Sequence, residues 1–279
     1  MNPKYKAPII LMAANMCYVC SFSLAKYFSI QVPVALIMLA RFLAGPIYLT
    51  PYFWATKKKL HVKHYGLFAL RIGCGVSAMT SLFYAFKYAD IGTTMLIFES
   101  SAIWTLLLGY FLFKNRPHAY SLMAIPLAVV GMVLVVKPHA VGGIGLGHGF
   151  ALLGSLFNAG VYISLKQLRH HYDTSTIVWV TYCISALILA GPAAWTLPEL
   201  TTSLVGGLML MCSVGFLGQL CMTMGFKFAT AGISSLLMLS IIPLTTLSGM
   251  IVFNESHDIG VWMGMGAMVI ALGVIGRWQ

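Results

Sequence analysis

The sequence predicts an all-α integral membrane protein of ten transmembrane helices, arranged as two inverted five-helix repeats. Three observations carry that expectation: ten apolar runs of bilayer-spanning length, a scarcity of charge, and an alignment of the chain with itself after a shift of 140 residues. Of its 279 residues, 59% are hydrophobic and 8% are charged, against about 25% charged in soluble domains. So few charges cannot coat a soluble protein of this length.

Taken in order, the apolar runs lie at about 7–28, 33–54, 65–86, 92–113, 121–136, 147–168, 175–196, 203–226, 232–253 and 259–276, each long enough to reach across or most of the way across hydrocarbon. The first follows Lys4 and Lys6, exceeds the apolar core of a cleaved signal and lacks a clear small-residue cleavage site, so it reads as a span. The connections are short and leave no stretch for a soluble catalytic or regulatory domain. Between the fifth and sixth runs, Gly142-Gly143-Ile144-Gly145-Leu146-Gly147-His148-Gly149 has no Gly-Lys-Ser/Thr and reads as a linker rather than a phosphate loop. Gly260, Gly264, Ala267 and Ala271 give the tenth run a small-residue stripe suited to close helix packing, within the fold or between subunits. Monomer and homodimer both fit that stripe.

The net charge of +11 is sorted by side instead of gathered for a nucleic acid. With the N-terminus in the cytoplasm, the inner segments hold twelve Lys/Arg: Lys4, Lys6, Lys57, Lys58, Lys59, Lys63, Lys114, Arg116, Lys166, Arg169, Lys227 and Arg277. The outer loops hold three: Lys26, Lys87 and Lys137. This follows the positive-inside rule and places both termini in the cytoplasm, as for a bacterial inner-membrane protein. The cluster from Lys57 to Lys63 reads as a topology anchor beside anionic lipid, and His61, His64, His170 and His171 join it as solvated charge or lipid contacts. Six cysteines lie within or beside the spans. Cys17 and Cys20 have C-x-x-C spacing without acid or histidine partners nearby, so packing is the simpler reading, and neither metal nor cofactor is expected.

The 140-residue shift sets Phe86-Lys87-Tyr88-Ala89-Asp90-Ile91-Gly92 on Phe226-Lys227-Phe228-Ala229-Thr230-Ala231-Gly232. Over 86–113 against 226–253, ten of 28 positions are identical. The same shift places Phe22 and Lys26 on Tyr162 and Lys166, and Gly45-Pro46 recurs as Gly191-Pro192 at a slightly different offset. Five spans per half is an odd number, so the halves must lie in opposite orientations. Lys114 and Arg116 follow the fourth run inside, whereas Glu255 and Asp258 follow the ninth outside. An inverted repeat puts a binding site near the midplane between its halves and supplies two near-equivalent conformations.

Phe22 with Lys26, Arg41-Phe42-Leu43, Phe83-Tyr84-Ala85-Phe86-Lys87-Tyr88, and Pro243 with Glu255 together resemble the drug/metabolite transporter superfamily, in its ten-helix EamA-type branch. The resemblance covers essentially the whole chain. It implies two repeats, residues 1–140 and 141–279, with helices 1–4 and 6–9 around a central cavity and helices 5 and 10 outside. It also implies secondary transport, by alternating access, of a small organic metabolite that is amino-acid-like, nucleoside-like or drug-like. The chain departs from the pattern at Ile103, where proline is common, at Asn115, where glutamate is common, and at Glu99, which is not a general feature. Arg41-Phe42, Leu70-Arg71 and Lys137-Pro138-His139 carry a weaker likeness to S-adenosylmethionine carriers. A lipid-modifying membrane enzyme is the contrasting class. It needs clustered acids, histidines or an activated nucleophile, and the six acids here are scattered. The repeat disfavours a purely structural protein.

Three ionisable residues, Arg41, Arg71 and Glu99, fall well inside apolar runs. A carboxylate in hydrocarbon costs at least about 2.5–3.5 kcal/mol, so Glu99 needs a partner, a wet cavity or a transport task. Counted inward, Glu99 and Arg41 lie at a similar depth, roughly 10–12 Å at the helical rise, which allows an ion pair. Either the pair ties the second and fourth helices together, or the two residues meet a zwitterionic or charged solute, or Glu99 binds a coupling proton. Arg71, near the cytoplasmic end of its run, reads as a snorkelling cation. Asn15, Tyr18, Tyr84, Trp104, Asn158 and Gln219 are the remaining cavity-lining candidates, though each alone also fits a helix–helix hydrogen bond.

Overall fold

The computed structural model describes residues 3–57, 60–113, 145–195 and 202–255, with isolated positions at 126, 130, 259, 262, 263, 266 and 267. Among these the chain is helical and contains no strand. In chain order the helices are α1 (Pro3–Ser29), α2 (Val34–Thr56), α3 (Tyr65–Tyr88), α4 (Ile91–Glu99), α5 (Ser101–Phe113), α6 (Leu146–His171), α7 (Thr174–Ala194), α8 (Thr202–Gly225), α9 (Ala231–Met238) and α10 (Ile241–Phe253). Six are long enough to cross a membrane alone, and α4 with α5 and α9 with α10 make two more spans, giving eight. These correspond to the first four runs and to the sixth through ninth. The runs expected at 121–136 and 259–276 lie outside the described residues.

The two composite spans are interrupted at matching places. Ser100 and Ser240, equivalent under the 140-residue shift, each sit in a tight turn closed by i to i+3 bonds, Ser100 N to Ile97 O at 3.2 Å and Ser240 N to Leu237 O at 3.3 Å. Short 3₁₀ stretches inside a helix mark hinges or strain, and their freed backbone groups need cover in a bilayer. Each break is buttressed by an asparagine from another span. Asn158 Nδ2 on α6 donates to Ser101 Oγ at 3.0 Å, and Asn15 Nδ2 on α1 donates to Ser240 Oγ at 2.7 Å and Met238 O at 3.2 Å.

The spans bury one face and leave apolar residues outside: Leu187 is 75% and Ile251 79% exposed, as a lipid-facing surface requires. On the inside, α1 packs on α8, α3 on α6, α2 on α7, α4 on α10 and α5 on α9. Moving five spans along the chain exchanges the α1–α8 and α3–α6 pairs and returns α2–α7 to itself. Close approach depends on glycine. A Cβ at Gly215 on α8 would fall 2.6 Å from both Ser21 Oγ and Arg41 Nη1.

Candidate functional site

All eight spans contribute to one interior cavity of about 40 Å³, room for two or three waters and too little for an organic solute. Its wall is largely aromatic and apolar: Tyr18 and Phe22 from α1, Phe42 from α2, Met79 from α3, Phe98 from α4, Val161 and Tyr162 from α6, Tyr182 from α7, Met222 from α8, with Met238 and Ile241 at the second break. Set into it are Arg41, Arg71, Glu99, Asn158, Thr181 and Gln219. The three charged side chains are nearly inaccessible: Arg41 is 2%, Arg71 4% and Glu99 3% exposed.

Glu99 is the last residue of α4, next to the turn at Ser100, and it lines the cavity. There it accepts a hydrogen bond from the Tyr162 hydroxyl at 3.2 Å. Arg41 donates from Nη1 to Ser21 Oγ at 3.2 Å, and its guanidinium lies 5.6 Å from the Tyr18 ring centre and 5.5 Å from that of Phe22, within cation–π range. Glu99 and Arg41 therefore face the same cavity but do not form the ion pair that equal depth allowed. Each has taken a neutral partner on its own side, Tyr162 on α6 and Ser21 on α1. On another wall, Tyr18 donates to Gln219 Oε1 at 3.1 Å, and Gln219 Nε2 donates to Thr223 Oγ1 at 3.1 Å.

Of the candidates read from sequence, Arg41, Glu99, Tyr18, Asn158 and Gln219 line the cavity. Asn15 is buried beside it and holds the second helix break. Tyr84 and Trp104 do not reach it. Tyr84 is 37% exposed and stacks on Phe150 with ring centres 5.5 Å apart, and Trp104 is only part-buried. Arg71 is the largest correction, because it does not snorkel. It shares the buried stripe of Phe68, Ile72, Gly75, Ala78 and Leu82, whose helical spacing turns it inward, and Gly75 one turn on leaves room beside its Nη1.

Tyr162, Thr181 and Tyr182 were missed, yet the repeat contained the signal. Under the 140-residue shift Arg41-Phe42 falls on Thr181-Tyr182, and Phe22 on Tyr162. Tyr18 with Asn158, Met79 with Gln219, and Phe98 with Met238 are further equivalent pairs, and both members of every pair line the cavity. The charges break this correspondence. Arg41, Arg71 and Glu99 all lie in the first half, opposite Thr181, Met211 and Leu239 in the second.

At one end of the bundle Lys26 Nζ meets Glu255 Oε1 at 2.5 Å, and the same oxygen accepts the Ile91 amide at 3.2 Å. This joins the ends of α1 and α10 to the start of α4, where Lys26 also lies 3.4 Å from Ala89 O. The equivalent Lys166 donates to Ala229 O at 2.6 Å and Phe226 O at 3.1 Å. Ala89 and Ala229 are themselves related by the shift.

The chain is similar in sequence to proteins named as transporters. It is 25% identical over 287 residues to an uncharacterized transporter of Helicobacter pylori, covering 95% of this chain and 92% of that one. It is 26% identical over 206 residues to the pseudopaline exporter CntI of Pseudomonas aeruginosa, covering 72% and 68%. A solved crystal structure with 16% sequence identity shares its fold, with a TM-score of 0.76 over 96% of this chain and 95% of the other. The EamA-like transporter family matches residues 6–137 and 145–277. By that match across nearly its full length, the chain is a multi-pass membrane transporter, not an enzyme, and belongs to the EamA-like family of the drug/metabolite transporter superfamily.

Proposed function

We propose that the protein is a secondary active transporter that moves a small organic metabolite across a bacterial inner membrane by alternating access between two inverted repeats, residues 1–140 and 141–279. The observation that carries this reading is the composition of the cavity wall. Residues equivalent under the shift line one space from both halves of the chain, and that space holds every charge buried within the described spans. An arrangement of that kind has two near-equivalent ways to close, one at each end. At about 40 Å³, the cavity belongs to a conformation closed around its site, and a solute enters when the halves separate. The breaks at Ser100 and Ser240 place hinges beside the cavity, and Glu99 sits on one of them. Its burial next to a hydroxyl suits a group that exchanges a proton or meets a cationic part of the solute. With both termini cytoplasmic, the Lys26–Glu255 bridge lies at the outer end and holds it shut in this conformation.

The S-adenosylmethionine reading gains nothing from this cavity, because two guanidiniums oppose a cationic sulfonium. Purified protein in liposomes, offered fractionated pools of labelled metabolites against a proton gradient, tests the proposal. Saturable uptake of at least one fraction that depends on the gradient and on Glu99 is expected. Gradient-driven uptake that survives intact in Glu99→Leu would overturn the role given to Glu99, and no uptake of any fraction would overturn transport through this cavity.

A further inference from the structure

The cavity carries more positive than negative side chains. Arg41 and Arg71 line it, and among the described lining residues Glu99 is the one acid. Glu99 is occupied on the α4–α6 side by Tyr162. Uncompensated guanidinium in a low-dielectric interior is costly unless an anion accompanies it. The hydrogen-bonding state of the wall points the same way. Three buried polar atoms on lining residues have no hydrogen-bond partner among the described residues: Arg71 Nε, Thr181 Oγ1 and the Tyr182 hydroxyl. All three can donate a hydrogen bond, and their residues are 4%, 4% and 2% exposed. Buried polar groups are ordinarily paired, so three unused donors on residues that line one cavity mark a place made for an acceptor. They come from α3 and α7, helices that carry neither Glu99 nor its hydroxyl partner Tyr162.

We infer that Arg71, Thr181 and Tyr182 form an anion subsite for the carboxylate or phosphate of the transported solute, with Arg41 as a second cation. This rests on the transport reading above and adds the charge class. The solute carries more anionic than cationic groups, its anionic end set against α3 and α7 and any ammonium set toward Glu99. An ionised Glu99 leaves one positive charge for the solute to neutralise, and a protonated Glu99 leaves two. The aromatic wall of Tyr18, Phe22 and Phe42 accommodates the part between.

The test is thermal stability of the detergent-purified protein with millimolar succinate, glutamate, inorganic phosphate, cadaverine or tetraethylammonium, each at matched ionic strength. Succinate, glutamate or phosphate should raise the unfolding temperature saturably in the wild type, and cadaverine and tetraethylammonium, which carry no anionic group, should not. A response to succinate and glutamate but not to phosphate assigns a carboxylate, and the reverse assigns a phosphate. Arg71→Met should abolish the effect. If that variant does not fold, the near-isosteric Thr181→Val and Tyr182→Phe decide, each weakening apparent affinity roughly tenfold, as loss of a hydrogen bond to a charged group does. Stabilisation by the cations, no response to any anion, or an unchanged response in all three variants overturns the subsite. Anion stabilisation in a protein that moves no solute in liposomes would leave the subsite standing and remove the transport cycle, so the two failures are distinguishable.

Discussion

The Tyr162 hydroxyl on α6 donates to the Glu99 carboxylate on α4 at 3.2 Å, linking the two halves of the chain through the cavity wall. Arg41, on the same cavity, is held instead by Ser21 and by the Tyr18 and Phe22 rings. This separation decides what a change at Glu99 should do. Glu99→Gln keeps the shape and a hydrogen-bond acceptor for Tyr162, and it strips no direct partner from Arg41. Folded yield from the membrane should therefore stay near wild type while concentrative uptake in liposomes is abolished. A loss of folded protein matching the loss of uptake, with both restored by adding Arg41→Leu, would instead make the two charges a structural unit.

The Lys26–Glu255 bridge has little exposure, 14% and 8% for the two side chains, so it is screened less than a surface pair. Glu255→Gln leaves the lysine beside a neutral amide and weakens the hold on Ile91 N. A loss of about 1–3 kcal/mol is expected, as for a buried charge-assisted hydrogen bond. Reagents added from the outside should also reach a cysteine placed at Phe22 faster in this variant than in the parent. Equal labelling rates would show that the bridge does not hold that end closed.

Gly215 lets α8 approach α1 where Arg41 is anchored. In Gly215→Ala the new methyl meets Ser21 and the Arg41 guanidinium. Overpacking of this kind costs about 1–3 kcal/mol, and here it displaces a cavity cation. Uptake should fall by more than thermal stability does, read as transport rate per folded molecule. Unchanged transport by Gly215→Ala would show that the Arg41 position is not critical.

Asn158→Leu removes the bond to Ser101 Oγ at the first helix break. Interhelical hydrogen bonds in membranes average about 0.6 kcal/mol, so the protein should fold with a small drop in unfolding temperature. The larger effect should be on transport, because the break next to Glu99 loses its support. A variant that transports normally would separate the break from the cycle.

Much of this was legible in the chain itself. Scarcity of charge and the length of the apolar runs gave the membrane spans, eight of which lie among the described residues. Five of eight site candidates reached the cavity because a polar group inside an apolar run has few other places to go. Arg71 was misread because distance from a helix end was weighed without helix phase, although Phe68, Gly75 and Leu82 shared its stripe. The Glu99–Arg41 pair failed for a related reason. Depth along the membrane normal places residues at one level but says nothing of the separation across it. Tyr84 and Trp104 were drawn in by polarity alone, and both are also at home on outward or part-buried faces. Thr181 and Tyr182 look unremarkable in isolation, and only the shift that set them opposite Arg41 and Phe42 would have drawn attention to them.

In the proposed cycle the halves alternate, opening the cavity at one end and then the other. Its most direct test replaces the six native cysteines, introduces Lys26→Cys with Glu255→Cys, and closes that end with a short thiol cross-linker before reconstitution with a solute from an active fraction. The cross-linked protein is expected to bind solute from the cytoplasmic side yet carry none across, and a cleavable linker should restore transport when cut. Full-rate transport by fully cross-linked protein would show that this end need not open and rule out alternation of the halves.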